Sequence, residues 1–477
     1  MEISKFQKTK ILATVGPASN SYNTLLELAK AGVDAFRLNF SHGTHQDHKK
    51  VFDYIQHINK KYKTNLSVVA DLQGPKLRVG EMEGGKIPLK KGEILTFVNE
   101  KCIGTKEKIY MSYESFAQDV KVGEKVLIDD GNVQMEVVET NGKDTVRLKV
   151  LYGEYLGSRK GVNLPETKIS LPSLTEKDIE DIDFILQYPF NWIALSFVRS
   201  PEDITDLRQR IKARHHYAKI IAKIEKPDAI KHIDAIIEES DGIMVARGDL
   251  GVEVPMERLP MLQKMIIEKC IQNAKPVIVA TQMMDSMIKN PTPTRAEIID
   301  VANAVLDGTD AVMLSGETAM GAHPVKVVEA MNKIIAEAES EESIYYKKLT
   351  PKEGTESFFS DAICYNACRI ARQVKAQTLI GMTKSGYTGF TVSSYRPKSD
   401  IFIFSSDADM LNTLNLVWGI RCLYYDKFTS TDDTIRDVQL ILKENGFVNK
   451  GDVVVNTGSM PLHMRKKTNM LKISVID

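Results

Sequence analysis

Short runs of aliphatic and β-branched residues alternate with amphipathic segments over most of the first 340 residues, and this alternation limits the fold more than any other feature of the chain. The runs are Ile11–Val15, Val33–Phe40, Leu66–Asp71, Trp192–Val198, Lys219–Glu225, Gly242–Ala246, Pro276–Ala280 and Ala311–Leu314. Between them lie the helical patterns Asn23–Ala31, Gln46–Lys60, Glu176–Gln187, Pro201–Lys212, Pro227–Glu239, Met256–Ile271, Arg295–Leu306 and Pro324–Glu337. Strands that alternate with helices build a parallel sheet covered by helices. Eight such units favour closure into a (β/α)8 TIM barrel over an open doubly wound sheet.

Two seams break the rhythm. Between Asp71 and Trp192 the chain is rich in Val, Thr, Gly and Lys, with short β patterns at 93–98, 125–131 and 145–150. This predicts a small all-β domain inserted into a βα loop at the C-terminal face of the barrel, where it can act as a lid. After the eighth helix the charged stretch 337–348 and the linker 349–354 lead to a second α/β segment, with a helix over Asp361–Val374 and strands at Thr378–Met382, Ile401–Ser405 and Asp452–Thr457. That predicts a C-terminal open α/β sheet domain. The expected division is a catalytic barrel from 1–72 and 160–345, a β-barrel lid at 73–159 and a regulatory α/β domain at 346–477.

Composition narrows the function classes. With 63 Lys+Arg against 63 Asp+Glu the chain has no net charge, which argues against a nucleic-acid-coating protein but leaves room for a local phosphate site. No run approaches ~20 apolar residues, so no membrane span is expected, and the N-terminus has no secretory h-region. The five cysteines include no Cys-x-x-Cys pair, and Cys364 and Cys368 share one face of an apolar helical pattern. A reduced, cytoplasmic chain is expected.

In a barrel the chemistry belongs at the C-terminal ends of strands. The second run ends Arg37-Leu38-Asn39-Phe40-Ser41-His42, where period-two alternation puts Arg37, Asn39 and Ser41 on one face. A guanidinium, an amide and a hydroxyl together can bind phosphoryl oxygens or an ion. The fifth run ends Lys223-Ile224-Glu225, which a strand-end ion pair explains as well as a site does. The sixth ends Ala246-Arg247-Gly248-Asp249, where Gly248 permits close approach to a ligand and Asp249 can open a helix; the seventh ends with the Thr281 hydroxyl. Glu225 and Asp249 form a hard oxygen pair suited to Mg²⁺ or Mn²⁺, with substrate oxygens and water completing the shell. A divalent ion with Arg37 and Lys223 around it reads as phosphoryl transfer. No Walker loop or kinase His-Arg-Asp motif is present.

These segments together resemble the pyruvate kinase family. The likeness runs through Ile11–Ala18, Arg37–Gly43, Gly74–Arg78, Lys160–Pro165, Ala222–Glu225, Ala246–Gly251, Ala280–Met284 and Asn290–Ala319, and covers nearly the whole chain. It implies transfer of the phosphoryl group of phosphoenolpyruvate to ADP, giving ATP and, after protonation of the enolate, pyruvate. By position, Lys223 would stabilise the transferring group and the enolate, Arg37 would bind the phosphoryl group, and Glu225 and Asp249 would hold Mg²⁺. Gly248, Asp249 and Thr281 would hold the pyruvyl part. Asn39, Phe40, Ser41, His42, Arg78 and Lys160 would face the nucleotide. Thr281, Ser315 and Glu317 are the proton-donor candidates.

The departures from the family pattern carry their own expectations. Potassium-dependent members read Asp-Thr-Lys-Gly-Pro-Glu-Ile-Arg where this chain reads Asp71-Leu72-Gln73-Gly74-Pro75-Lys76-Leu77-Arg78. A tethered ammonium at Lys76 can replace K⁺ near Asn39, Ser41, Asp71 and Leu72, so K⁺ is expected not to be required. Lys226 stands where Asn is usual; its side chain points opposite to Glu225, so little effect on metal binding is expected. In the C-terminal domain Thr383-Lys384-Ser385-Gly386-Tyr387-Thr388 resembles the family's effector loop, which implies a sugar-phosphate or nucleotide effector and a homotetramer; the segment 456–469, with Met460, Pro461 and Leu462, matches the second half of that site poorly. The competing reading is a Mg²⁺-dependent barrel aldolase that stabilises the same enolate. It needs neither the inserted domain nor the Arg37-x-Asn39-x-Ser41 face.

Overall fold

The computed structural model describes residues 7–347, 349–427, 430–460 and 467–477. Eight parallel strands close on themselves: β1 (Lys10–Thr14), β2 (Ala35–Asn39), β3 (Ser67–Asp71), β4 (Trp192–Leu195), β5 (Lys219–Ile224), β6 (Gly242–Ala246), β7 (Val277–Ala280) and β8 (Ala311–Leu314), with β8 paired back to β1. They are apolar and nearly fully buried because helices cover the outside and side chains fill the inside. Helix starts are fixed by side chains: Thr44 with Asp47, Thr175 with Asp178 and Thr294 with Glu297 form capping boxes. The single helix expected over 227–239 is two, Pro227–Lys231 and Ile233–Glu239, because His232 leaves helical geometry (φ −107°, ψ 17°).

The insertion has its own apolar core. Its sheet runs Val162–Asn163, Lys125–Ile128, Val133–Thr140, Thr145–Tyr152, Ile94–Val98, Ile109–Tyr110, with a two-stranded ribbon of Lys86–Pro88 and Tyr155–Gly157 and a short helix at Phe116–Asp119. Isolated bridges Arg78–Gly161 and Val79–Met111 join the two edges through residues 78 and 79. The chain leaves the barrel through Gly74, whose φ of +65° and 2.9 Å approach of a would-be Cβ to the Phe197 ring require glycine.

The C-terminal sheet has five strands, ordered Ile420–Tyr424, Asp400–Ser405, Thr378–Met382, Val453–Gly458, Met470–Val475. The sequence pattern missed the two outer strands: both lie at edges, and their polar or exposed residues break the apolar run. This sheet closes the N-terminal end of the barrel. Leu416 packs among the barrel-interior residues Leu12, Trp192, Met244 and Ile278, and Trp192 Nε1 donates to Thr413 O at 3.2 Å. The C-terminal mouth is thereby left as the open end.

Candidate active site

At that mouth each strand delivers a polar residue, and the charged ones converge on Asp71 at the end of β3. Asp71 is 1% exposed; its Oδ2 accepts from Arg37 Nε, and its Oδ1 accepts from Lys223 Nζ at 3.1 Å. Arg37 also donates to Thr14 Oγ1 at 3.0 Å. Lys223 Nζ further reaches Ser196 Oγ at 2.7 Å and Glu225 Oε1 at 3.0 Å. Burial opposes the Lys223 ammonium, but Asp71 and Glu225 beside it hold its pKa above the ordinary value. Burial likewise opposes the Asp71 carboxylate, which Arg37 and Lys223 hold below the usual range. Lys223 and Asp71 are therefore held charged in a poorly hydrated mouth, where their interaction is stronger than in water.

Glu225 is 1% exposed, and its Oε2 accepts from the Phe197 backbone N–H at 2.7 Å. Phe197 takes a left-handed φ of +54° to aim that N–H, a strained geometry at the site. Burial pushes the Glu225 carboxyl up; Lys223 opposes this and the charge of Asp249 adds to it. Asp249, in the helix Arg247–Glu253 after β6, has no side-chain hydrogen-bond partner among the described residues and lines a cleft with Lys76, Asp130, Asn163, Phe197, Arg199 and Lys226. A buried carboxylate pressed by an unpartnered one nearby fits a hard divalent cation. Among the described residues no cluster of three or more Asp, Glu, His or Cys accompanies them, so the remaining ligands would be substrate oxygens and water.

Thr281, just past β7, holds a φ of +69°, an outlier for a β-branched residue. Its hydroxyl accepts from Gly248 N–H at 2.7 Å and donates to Ala280 O at 2.6 Å. A Cβ at position 248 would stand 3.3 Å from that hydroxyl, so glycine permits the contact. Past β8, buried Glu317 accepts from the backbone N–H groups of Ser315 (2.6 Å) and Met284 (3.1 Å), and burial raises its carboxyl. Ser315 Oγ is buried with no partner among the described residues.

Several sequence expectations change at this point. Arg37 and Asn39 share a face of β2, but Ser41 lies beyond the strand and is held by a turn in which its N–H donates to Asn39 Oδ1 at 3.1 Å. The Phe40 ring is 2% exposed and stacks on His48 at 4.2 Å, while its carbonyl accepts from Lys177 Nζ, so its side chain faces the core instead of a nucleotide. His42 is exposed. Arg78 and Lys160 stand at the root of the inserted domain, with Arg78 donating to Arg159 O and Lys160 paired with Asp129 at 2.9 Å. Lys76 is exposed and makes no hydrogen bond to Asn39, Ser41 or Asp71; the cations on Asp71 are Arg37 and Lys223. Leu72 is buried, its carbonyl accepting from Ser196 Oγ at 2.7 Å. Lys226 is buried and its ammonium is paired with Glu253.

In the C-terminal domain, Gly386 N–H donates to Thr383 Oγ1 at 2.9 Å, and Lys384 and Ser385 are exposed. The Thr388 side chain, expected at an effector site, is turned inward: it is 2% exposed, and its hydroxyl shares a hydrogen bond with Thr468 at 2.7 Å. Met460 is half exposed; Pro461 and Leu462 lie outside the described residues. The residues that sequence reasoning missed are Thr14, Ser196 and the Phe197 amide. Their one signal is their position at or just past the C-terminal end of a strand.

The family model for the pyruvate kinase barrel domain matches residues 6–328, and that for the pyruvate kinase alpha/beta domain matches 361–474. The chain belongs to the pyruvate kinase family. Among similar members, a pyruvate kinase of Clostridium acetobutylicum is 42% identical over 474 residues, spanning 99% of this chain and 100% of its own. Another from Geobacillus stearothermophilus is 41% identical, over 98% of this chain and 80% of its own. The crystal structure of a pyruvate kinase from Cryptosporidium parvum superposes with a TM-score of 0.93 at 36% identity, covering 99% of this chain and 96% of that one. The family is one of phosphotransferases, and the aldolase reading finds no support in these comparisons. No helix among the described residues is long and apolar enough to cross a membrane.

Proposed function

We propose that this pyruvate kinase family member transfers the phosphoryl group of phosphoenolpyruvate to ADP and protonates the enolate to pyruvate, the last step of glycolysis. The observation that carries this reading is the Arg37–Asp71–Lys223–Glu225 network at the mouth, with Asp249 beside it. Arg37 and Lys223 bind the phosphoryl group, and Lys223 steadies the charge left on the enolate. Glu225 and Asp249 would hold Mg²⁺, or Mn²⁺ in its place, and the bound ion would supply charge neutralisation for the substrate's anionic oxygens. Gly248, Asp249 and Thr281 seat the pyruvyl part; because Thr281 and Gly248 already bond to each other, substrate exchanges those bonds at little reorganisation. Asn39, Ser41, His42, Arg78 and Lys160 face ADP, with Phe40 as buried support. Thr281, Ser315 and Glu317, at the ends of β7 and β8, are the groups able to relay the enolate's proton. The inserted domain excludes water until ADP takes the phosphoryl group. A coupled assay with phosphoenolpyruvate, ADP and lactate dehydrogenase tests the activity; its absence overturns the reading.

K⁺ is not required in this reading. Lys76 is exposed in the cleft that Asp249 lines, with no side-chain partner among the described residues, and supplies a cation across the cleft rather than as a ligand of Asn39, Ser41 and Asp71. Full activity in K⁺-free tetramethylammonium buffer is expected, and activation of tenfold or more by KCl, roughly 1.4 kcal/mol of transition-state stabilisation, would contradict it. The Thr383–Gly386 loop, with Lys384 and Ser385 exposed at its tip, binds a phosphorylated effector, sugar phosphate or nucleotide, without the Thr388 side chain. The enzyme works in the cytoplasm as a homotetramer, so light scattering returns about four times the 53.5 kDa chain mass.

A further inference from the structure

Next to the proposed metal carboxylates lies a second, separate charge cluster. Lys226 follows Glu225 directly, is 8% exposed and donates from Nζ to Glu253 Oε1. Glu253, 5% exposed, is the last residue of the helix Arg247–Glu253 that carries Asp249. The same Oε1 accepts from Asn163 Nδ2 at 2.8 Å, and Asn163 lies in the strand by which the chain returns from the inserted domain. Three elements therefore meet on one carboxylate oxygen. Among the described residues Glu253 Oε2 is buried without a partner, so the cluster retains an unmet demand for a donor or cation, and its hydrogen bonds come from Lys226 and Asn163. Lys226, Asn163 and Asp249 line one cleft.

We propose that Lys226 is a positioning residue for the divalent cation, a role resting on the reading that Glu225 and Asp249 hold it. Its ammonium pins the end of the Asp249 helix to the residue after Glu225, fixing the two carboxylates at one separation. The seven-residue helix has a strong need for such a pin: its N-cap Ala246 offers no side-chain hydrogen bond. Asn163 extends the same oxygen to the root of the inserted domain, so movement of that domain reaches the Asp249 helix through this cluster. Lys226 touches neither phosphoryl group nor enolate and acts through Asp249 alone.

The test is Mn²⁺ binding followed by electron paramagnetic resonance, without substrates, in the intact chain, its K226M variant and the K226M/E253Q pair. The pair leaves no unpaired buried charge, so it keeps the measurement informative if K226M folds poorly. Both variants should bind Mn²⁺ roughly tenfold more weakly, as loss of an outer partner of a metal ligand does. Turnover should return to within about twofold of the parent at saturating Mn²⁺, a recovery that general damage to the fold would not give. Parental Mn²⁺ affinity in both variants overturns the proposal. D249N separates the two levels: if D249N also binds Mn²⁺ like the parent, the carboxylate assignment itself fails, whereas weak binding by D249N with parental binding by the Lys226 variants refutes only the role of Lys226.

Discussion

Lys223 is held by three groups from three strand ends, Asp71, Ser196 and Glu225, and this makes it a fixed charge instead of a flexible surface lysine. A fixed ammonium stabilises developing charge without reorganisation at the moment of reaction. Removing the Ser196 hydroxyl leaves the two carboxylates to pull Lys223 unopposed. S196A should therefore lower kcat roughly tenfold, the equivalent of about 1.4 kcal/mol for a hydrogen bond to a charged group, with thermal stability little changed. Steady-state kinetics and a melting curve check this; parental kcat would show that Ser196 does not help set the amine. Arg37, Lys223, Glu225 and Asp249 could be singled out in the sequence because each is a charge at or just past the end of an apolar run, although a strand-end ion pair accounted for Lys223 and Glu225 equally well; their gathering at one mouth came only from the fold. Ser196 and Thr14 were not, since a small hydroxyl at or just past a strand end is common anywhere. The inward turn of Thr388 was not legible either: its motif suggested phosphate contact, but its place in the helix Tyr387–Ser394 turns the hydroxyl into the core against Thr468.

At the scale of elements, apolar periodicity located the barrel strands to within a few residues, because strands buried on both faces carry a continuous signal. The outermost strands of the C-terminal sheet, Ile420–Tyr424 and Met470–Val475, lacked that signal. Elements are also joined by charge. Asp241, before β6, accepts from the Ile220 N–H of β5 and pairs with Arg208 at 3.0 Å and Lys219 at 3.5 Å. Burial would raise its carboxyl, but Lys219 and Arg208 hold it below the ordinary 3.8. A carboxyl whose folded pKa is depressed stabilises the fold above its unfolded pKa and loses that contribution as pH falls through the folded value. D241N should thus lower the melting temperature at pH 7, with the gap to the parent closing as pH drops below 3.8. A gap independent of pH would contradict this account.

Over the whole molecule, the barrel is stoppered at one end and worked at the other. The stopper is locked by Arg396 and Asp310, 2% exposed each, where Arg396 Nη2 donates to Asp310 Oδ2 at 2.9 Å and to Gly308 O at 2.8 Å. Trp418 N–H adds to Asp310 Oδ1 at 3.1 Å. R396M would leave a buried carboxylate unpaired and should cost about 3–5 kcal/mol, read as earlier unfolding in urea. A loss below about 1 kcal/mol would mean the sheet is held by apolar contact alone. With the N-terminal end closed this way, substrate can enter only from the mouth, beneath the inserted domain, where the charged strand ends gather. The direct test of that arrangement is turnover of E225Q in the phosphoenolpyruvate–ADP coupled assay at saturating Mg²⁺. Glutamine keeps the shape and the Phe197 contact but removes the charge that faces Asp249 and Lys223, and kcat should fall at least about a hundredfold; a kcat within about twofold of the parent would contradict the assignment of this mouth as the seat of phosphoryl transfer.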